Sequence, residues 1–206
     1  LKSDFERFAS AKELDKYKNI TLDREILASS EAFSRAAVDP CLTGLAEYYI
    51  GKKIVLAALE GRRSERFVTP DYGNQMWHHD AKRKQVKVFI LLTEVPPGGQ
   101  HTDLLPRTHK IWHEFSQYED SRYTRDEMKE YFTKYGEPIH SVGPAGTVCV
   151  FDTNALHRGN RNGPRRDALI FYYTAGRRGT IFPVPKPHPD AVKDYSPRQR
   201  EIARLR

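Results

Sequence analysis

Hydrophobic positions along the chain follow two rhythms. The first 50 residues read as helical. Leu42, Leu45, Ala46 and Ile50 recur at the spacing of one helix face. Asp39 before Pro40 places a capping residue ahead of a proline at the first helical position, and Gly51 supplies the stop. Lys53 to Glu60 is rich in apolar residues and predicts the start of a sheet.

From about residue 66 the rhythm shortens to strands and turns. Strands are expected at Phe67 to Thr69, Met76 to His78, Lys87 to Glu94, Thr147 to Asp152 and Asp167 to Thr174. Pro96-Pro97-Gly98-Gly99 and Gly143-Pro144-Ala145-Gly146 mark turns. Residues 124–134 read as an inserted helix, with Thr124 as cap and Glu127 three positions later. Ser196-Pro197, then Ile202 and Leu205, predict a short terminal helix. Helices followed by many short strands predict a mainly β fold with packed helices, an antiparallel sandwich or jelly roll. With no repeat or linker, residues 1–206 form one domain: helical to about 52, core 53–183, tail 184–206.

Composition narrows the function classes. With 206 residues, 38% of them hydrophobic and 30% charged, the chain can bury one sizeable core and is not of the disordered class. No apolar run reaches the ~20 residues of a membrane span. The chain opens Leu1-Lys2-Ser3-Asp4 without a Met, which implies a missing N-terminal stretch. Cys41 and Cys149 are too few for a disulfide framework or zinc cluster, and Cys149 sits in an apolar run. A reducing, cytoplasmic setting is expected. The net charge of +7 fits a nucleic-acid surface, attraction of an anionic substrate or carrier protein, or simply a solvated surface. The basic residues are scattered, and the tightest cluster is Lys82-Arg83-Lys84. No nucleic-acid partner is expected.

The chemistry lies just before that cluster, in Trp77-His78-His79-Asp80. Along a strand, alternate residues share a face, so His78 and Asp80 can reach one metal while His79 points away. A His-x-Asp tripeptide is common in polar turns and proves little alone. His157, just past a buried strand, is the best third ligand. Two imidazoles and one carboxylate leave three positions open, the arrangement of non-haem iron(II) oxygenases rather than of closed zinc sites. Arg165-Arg166 follows at the entry of the last strand, where either guanidinium could clamp a dicarboxylate such as 2-oxoglutarate.

Four stretches, covering roughly residues 66–180, resemble the phytanoyl-CoA dioxygenase family of 2-oxoglutarate-dependent oxygenases. They are Gln75 to Asp80, Phe89 to Val95 with Gly98-Gly99, Leu105-Pro106-Arg107-Thr108-His109-Lys110, and Gly146 to His157 followed by Arg166-Asp167-Ala168-Leu169. The resemblance implies a double-stranded β-helix. It places iron(II) on His78, Asp80 and His157 and the 2-oxoglutarate carboxylate on Arg166, with dioxygen as co-substrate. Gln75 is carried as a further cosubstrate candidate. Related halogenases lack the carboxylate, so Asp80 implies an oxidation without halogen, hydroxylation first. Desaturation, epimerisation, cyclisation or demethylation at the same centre are the enzymatic alternatives, and a non-enzymatic jelly-roll binding protein is another. Two departures bear on the cosubstrate: Gly159 stands where the family often has Ser or Thr, and Arg107-Thr108 replaces Gly-Ser.

Other residues have plainer readings. His79 could be a supporting donor or a neutral surface group. His101, His109, His113 and His140 read as loop histidines, with His101 able to face the pocket. Trp77 is expected behind the metal strand. One ring of Tyr172-Tyr173 should face the core. Phe115, Tyr118, Tyr123 and Tyr131 suit either a lid or an amphipathic helix. The substrate is expected to be a small natural-product or amino-acid-like molecule, free or bound to a carrier protein or CoA. The protein is expected as a monomer or homodimer.

Overall fold

The computed structural model describes residues 1–23, 25–69, 72–80, 84–110, 122–176 and 186–205. His113, Phe115, Tyr118 and the Lys82-Arg83 pair lie outside the described residues. Helices α1 (Lys2–Ala9), α2 (Glu25–Ser29), α3 (Glu31–Ala36) and α4 (Pro40–Ile50) precede most of the sheet. Asp39 caps α4 by accepting from Cys41 and Leu42 N–H, and Gly51 ends it in the left-handed region at φ 75°. Ala46 and Ile50 are buried as the periodicity requires, whereas Leu45 is turned to solvent.

Two antiparallel five-stranded sheets face one another, as the jelly-roll expectation requires. The major sheet has the order β1 (Asn19–Leu22), β2 (Ile54–Ser64), β10 (Arg166–Ala175), β4 (Gln85–Leu91), β8 (Val148–Asp152). The minor sheet has the order β6 (Arg122–Tyr123), β3 (Trp77–His78), β9 (His157–Gly159), β5 (Thr102–Leu104), β7 (Ile139–His140). Helix α5 (Arg125–Tyr135) opens with the Thr124–Glu127 capping box. Helices α6 (Pro189–Lys193) and α7 (Pro197–Ile202) close the chain.

Two expectations need correction. The first 50 residues are not all helical, because Asn19–Leu22 pairs with Ser64 to Gly61 as an edge strand. Its four residues are too few for alternation to show. Phe67 to Thr69 is not a strand; the segment is tied down by the Gln75 side chain instead.

Alternation along the central strands separates two interiors. Val86, Val88 and Ile90 of β4 and Leu169, Phe171 and Tyr173 of β10 pack under the helices with Leu22, Leu27, Phe33 and Ile54. Tyr173 also donates its hydroxyl to the Ala37 carbonyl. The opposite face points between the sheets and carries Lys87, Phe89 and Leu91 of β4 and Arg166, Ala168, Ile170 and Tyr172 of β10. Strands covered on both faces read as continuous apolar runs, so the charged exceptions among them mark the chemistry. No helix among the described residues is long and apolar enough to cross a membrane.

Candidate active site

His78 and His157 are directly opposite one another in the β3–β9 pair, with ring centroids 4.3 Å apart. Asp80 follows two residues after His78, where its amide donates to the Thr153 carbonyl. Asp80 Oδ1 is 3.4 Å from His78 Nε2, and Oδ2 is 3.4 Å from His157 Nε2. Two ligands about 2.1 Å from one ion have this spacing at a bond angle of roughly 110°. One ligand atom from each of the three residues can be chosen so that all lie within 4.8 Å of one another.

The second nitrogen of each imidazole fixes its protonation. His78 Nδ1 is 2.8 Å from the Met76 carbonyl and His157 Nδ1 is 2.9 Å from the Ala155 carbonyl. A carbonyl only accepts, so each Nδ1 carries the proton and each Nε2 keeps its lone pair for a metal. His157 Nε2 is buried and makes no hydrogen bond, the condition of a ligand atom awaiting its ion. Burial, then the neighbouring His157, lowers the His78 pKa to about 4, so its ring is neutral at physiological pH. Burial alone would raise the Asp80 carboxyl, but Lys87 and the two histidines hold it well below the usual range. The donor set therefore fits a divalent cation with open positions.

His79 points away from the triad, as alternation requires, with Nδ1 against the Asn154 carbonyl and its ring edge-on to Tyr123. Trp77 is buried behind the metal strand, edge-on to Phe132 of α5. Tyr123 and Tyr131 pack in the same cluster, as part of an amphipathic helix and its entry.

Strand β10 separates the two arginines. Arg165 is half-exposed and reaches out to Glu6 at 3.3 Å and Asp167 at 3.6 Å. Arg166 is buried, and its Nη1 donates to the Gln100 carbonyl at 2.8 Å. Gln100 is held in turn, because its Nε2 donates to the carbonyls of Ser64 (3.1 Å), Gly163 (3.3 Å) and Pro164 (2.9 Å). This packing needs a glycine, since a Cβ at Gly163 would lie 2.7 Å from the Gly99 Cα. Burial, then repulsion from Arg62 and Arg161, lowers the Arg166 pKa to about 10, leaving it charged at neutral pH. Gln75 is engaged elsewhere: its amide accepts from Thr69 N–H at 3.1 Å and donates to Phe67 O and Thr69 Oγ1. These bonds commit the Gln75 amide to its own loop.

Sequence reasoning missed the polar groups between the sheets. Lys87 pairs with Asp80. Arg62 pairs with Glu60, which accepts from the Tyr172 hydroxyl at 3.3 Å. A lysine inside an otherwise apolar strand was the signal available for the first of these.

A second His-x-Asp segment, His101-Thr102-Asp103, gathers His140 and lies on the other face of the minor sheet. His101 thus does not face the pocket. Asp103 receives Arg158 Nε at 2.8 Å and His140 Nδ1 at 2.7 Å, which makes it an ion-pair hub. Burial alone would raise its carboxyl, but His101, Arg158 and His140 lower it to about 2. A lowered carboxyl stabilises the fold above its unfolded value near ~3.9 and loses that contribution as pH falls toward about 2. Asp103→Asn should cost roughly 2 kcal/mol at neutral pH and flatten the acid-side loss of stability, measured by urea melts at a series of pH values.

Comparison with known proteins places this geometry. No family model matches the chain. The ectoine dioxygenase of Stutzerimonas stutzeri (strain A1501) is 24% identical over 167 residues, covering 69% of this chain. The chain spans about half of that relative, 54% of its length. EctD from S. alaskensis, solved with 2-oxoglutarate and 5-hydroxyectoine, superposes with a TM-score of 0.62 at 20% identity over 85% of this chain and 66% of that one. The chain has the fold of the PhyH-like iron(II)/2-oxoglutarate oxygenases. The epimerase SnoN, solved with Fe3+, alpha ketoglutarate and nogalamycin RO, gives a TM-score of 0.62 at 15% identity over 90% and 82% of the two chains. HygX from Streptomyces hygroscopicus, with nickel, 2-oxoglutarate and hygromycin B, gives 0.61 at 15% over 88% and 81%. The similar structures thus hold a metal, 2-oxoglutarate and small organic molecules, in a fold that places His78, Asp80 and His157 together here.

Proposed function

We propose that the protein is an iron(II)- and 2-oxoglutarate-dependent dioxygenase that hydroxylates an unactivated C–H bond of a small natural-product or amino-acid-like molecule. The observation that carries the reading is the triad itself: two imidazoles and an ionised carboxylate converge, with the buried His157 Nε2 unpartnered. His78, Asp80 and His157 would hold iron(II), and Arg166 would receive the far carboxylate of 2-oxoglutarate. When bound, the iron with 2-oxoglutarate and dioxygen supplies the oxidising power, releasing succinate and carbon dioxide.

The chain's own residues bind, orient and exclude water. The carbonyls of Met76 and Ala155 aim the two imidazoles. Gln100 fixes the Arg166 guanidinium, so the cosubstrate meets a donor already in place. Phe89, Phe151 and Ile170 supply apolar wall between the sheets. Gly159 offers no hydroxyl to the cosubstrate, which leaves its far end to cationic partners.

The similarity to the epimerase SnoN favours a second outcome at the same centre, epimerisation, because the fold alone does not choose among oxidations. The purified protein should bind one equivalent of iron(II) and consume 2-oxoglutarate to give succinate, faster in the presence of an accepted small molecule. Product analysis by mass spectrometry then separates a gain of one oxygen from a change of configuration at constant mass. Protein that binds iron(II) but never 2-oxoglutarate would count against the oxygenase reading.

A further inference from the structure

Beyond its charge, which keeps Asp80 ionised, Lys87 has no task in the iron and 2-oxoglutarate reading, yet it stands beside the triad. It is 9% exposed, on β4, opposite Tyr172 of β10 and Phe151 of β8. Its ammonium sits 4.9 Å from the centre of the Tyr172 ring and pairs with Asp80 Oδ2. The residues on either side, Val86 and Val88, are wholly apolar and pack under the helices. Burying a lysine is costly unless its charge is matched, so this placement calls for a reason beyond packing.

That reason lies in the second oxygen of Asp80. Each oxygen faces one imidazole at 3.4 Å, so an unrestrained carboxylate could chelate a cation through both. Two imidazoles, two carboxylate oxygens and the two oxygens of a keto acid would fill all the positions of an octahedral ion. A gas could then no longer bind beside the cosubstrate. We propose that Lys87 withholds Asp80 Oδ2 from the metal, so that Asp80 gives it one oxygen and a sixth position stays open. Lys87 is thus a positioning residue that acts through Asp80. The inference rests on the iron and 2-oxoglutarate reading above.

Lys87→Met keeps the apolar stem and removes the charge. Both proteins are loaded anaerobically with iron(II) and 2-oxoglutarate, and chelation is followed by visible absorption. Nitric oxide is then titrated as a stand-in for dioxygen and read by electron paramagnetic resonance. Wild type should form the iron–nitrosyl. Lys87→Met should keep iron and 2-oxoglutarate but bind nitric oxide on the order of tenfold more weakly, or less. Lys87→Arg, which retains a donor for the carboxylate, should restore it. Equal nitric oxide affinity in Lys87→Met and wild type would overturn the inference, leaving Lys87 a stabilising role that a lowered melting point alone would show. Loss of iron binding in Lys87→Met would overturn it as well. If Lys87→Met does not fold, Lys87→Leu carries the same comparison. Failure of wild type itself to bind iron(II) or 2-oxoglutarate would instead sink the underlying reading, which keeps the two failures apart.

Discussion

Replacing His157 with alanine should abolish iron-dependent turnover of 2-oxoglutarate and weaken iron(II) binding by more than about a hundredfold. Loss of a partner that only supports a ligand already costs ~10–100-fold in metal affinity, so loss of a ligand must cost more. His157 offers Nε2 with its lone pair free, because Nδ1 is committed to the Ala155 carbonyl. Its ring lies between His78 at 4.3 Å and Phe151 at 5.3 Å, so the nitrogen has little freedom to miss the ion. The fold should survive the change. The variant leaves a small cavity but also removes a buried nitrogen that makes no hydrogen bond. Equilibrium dialysis reads the iron, chromatography reads the succinate, and circular dichroism checks the fold. Full iron occupancy and full turnover in this variant would remove His157 from the centre.

The triad was legible in the sequence because it rests on the shortest-range rule a strand obeys. Alternation alone parts His78 from His79, and the structure places them on opposite faces for that reason. The same rule parts Arg165 from Arg166, although reading it needed the strand to start at the right residue. Helix α4 was legible because its cap, first-turn proline and terminal glycine are local signals. What stayed hidden depends on contacts distant in sequence. The strand Asn19–Leu22 exists because β2 runs on to Ser64 and offers it an edge. Strand alternation does not reach Gln75, because the chain upstream of Trp77 makes a short 3-10 turn at Gly73–Gln75. Lys87 and Asp80 are seven residues apart in sequence and meet only across the space between the sheets. His101 and Asp103 repeat the His-x-Asp spelling with a different outcome, since Arg158 and His140 already occupy that carboxylate.

Arg166→Ala should raise the 2-oxoglutarate concentration needed for half-saturation about a hundredfold while leaving iron(II) affinity unchanged. A guanidinium that meets a carboxylate through two parallel bonds contributes at least about 3 kcal/mol, which is that factor. The triad does not lean on Arg166, whose one described hydrogen bond goes to the Gln100 carbonyl. Arg62 and Arg161 repel Arg166, so its removal relieves strain among like charges instead of breaking an ion pair, and the variant should fold. Those two neighbours also explain why the loss should stop short of complete: a cosubstrate carboxylate arriving there would still meet positive charge. Arg165→Ala is the control, since that side chain reaches out to Glu6 and should leave the 2-oxoglutarate requirement within about twofold. Calorimetry with iron(II)-loaded protein under nitrogen measures both variants without turnover. An unchanged requirement in Arg166→Ala would move the cosubstrate's far carboxylate to another cation between the sheets, and Arg62→Met would be the next variant to weigh.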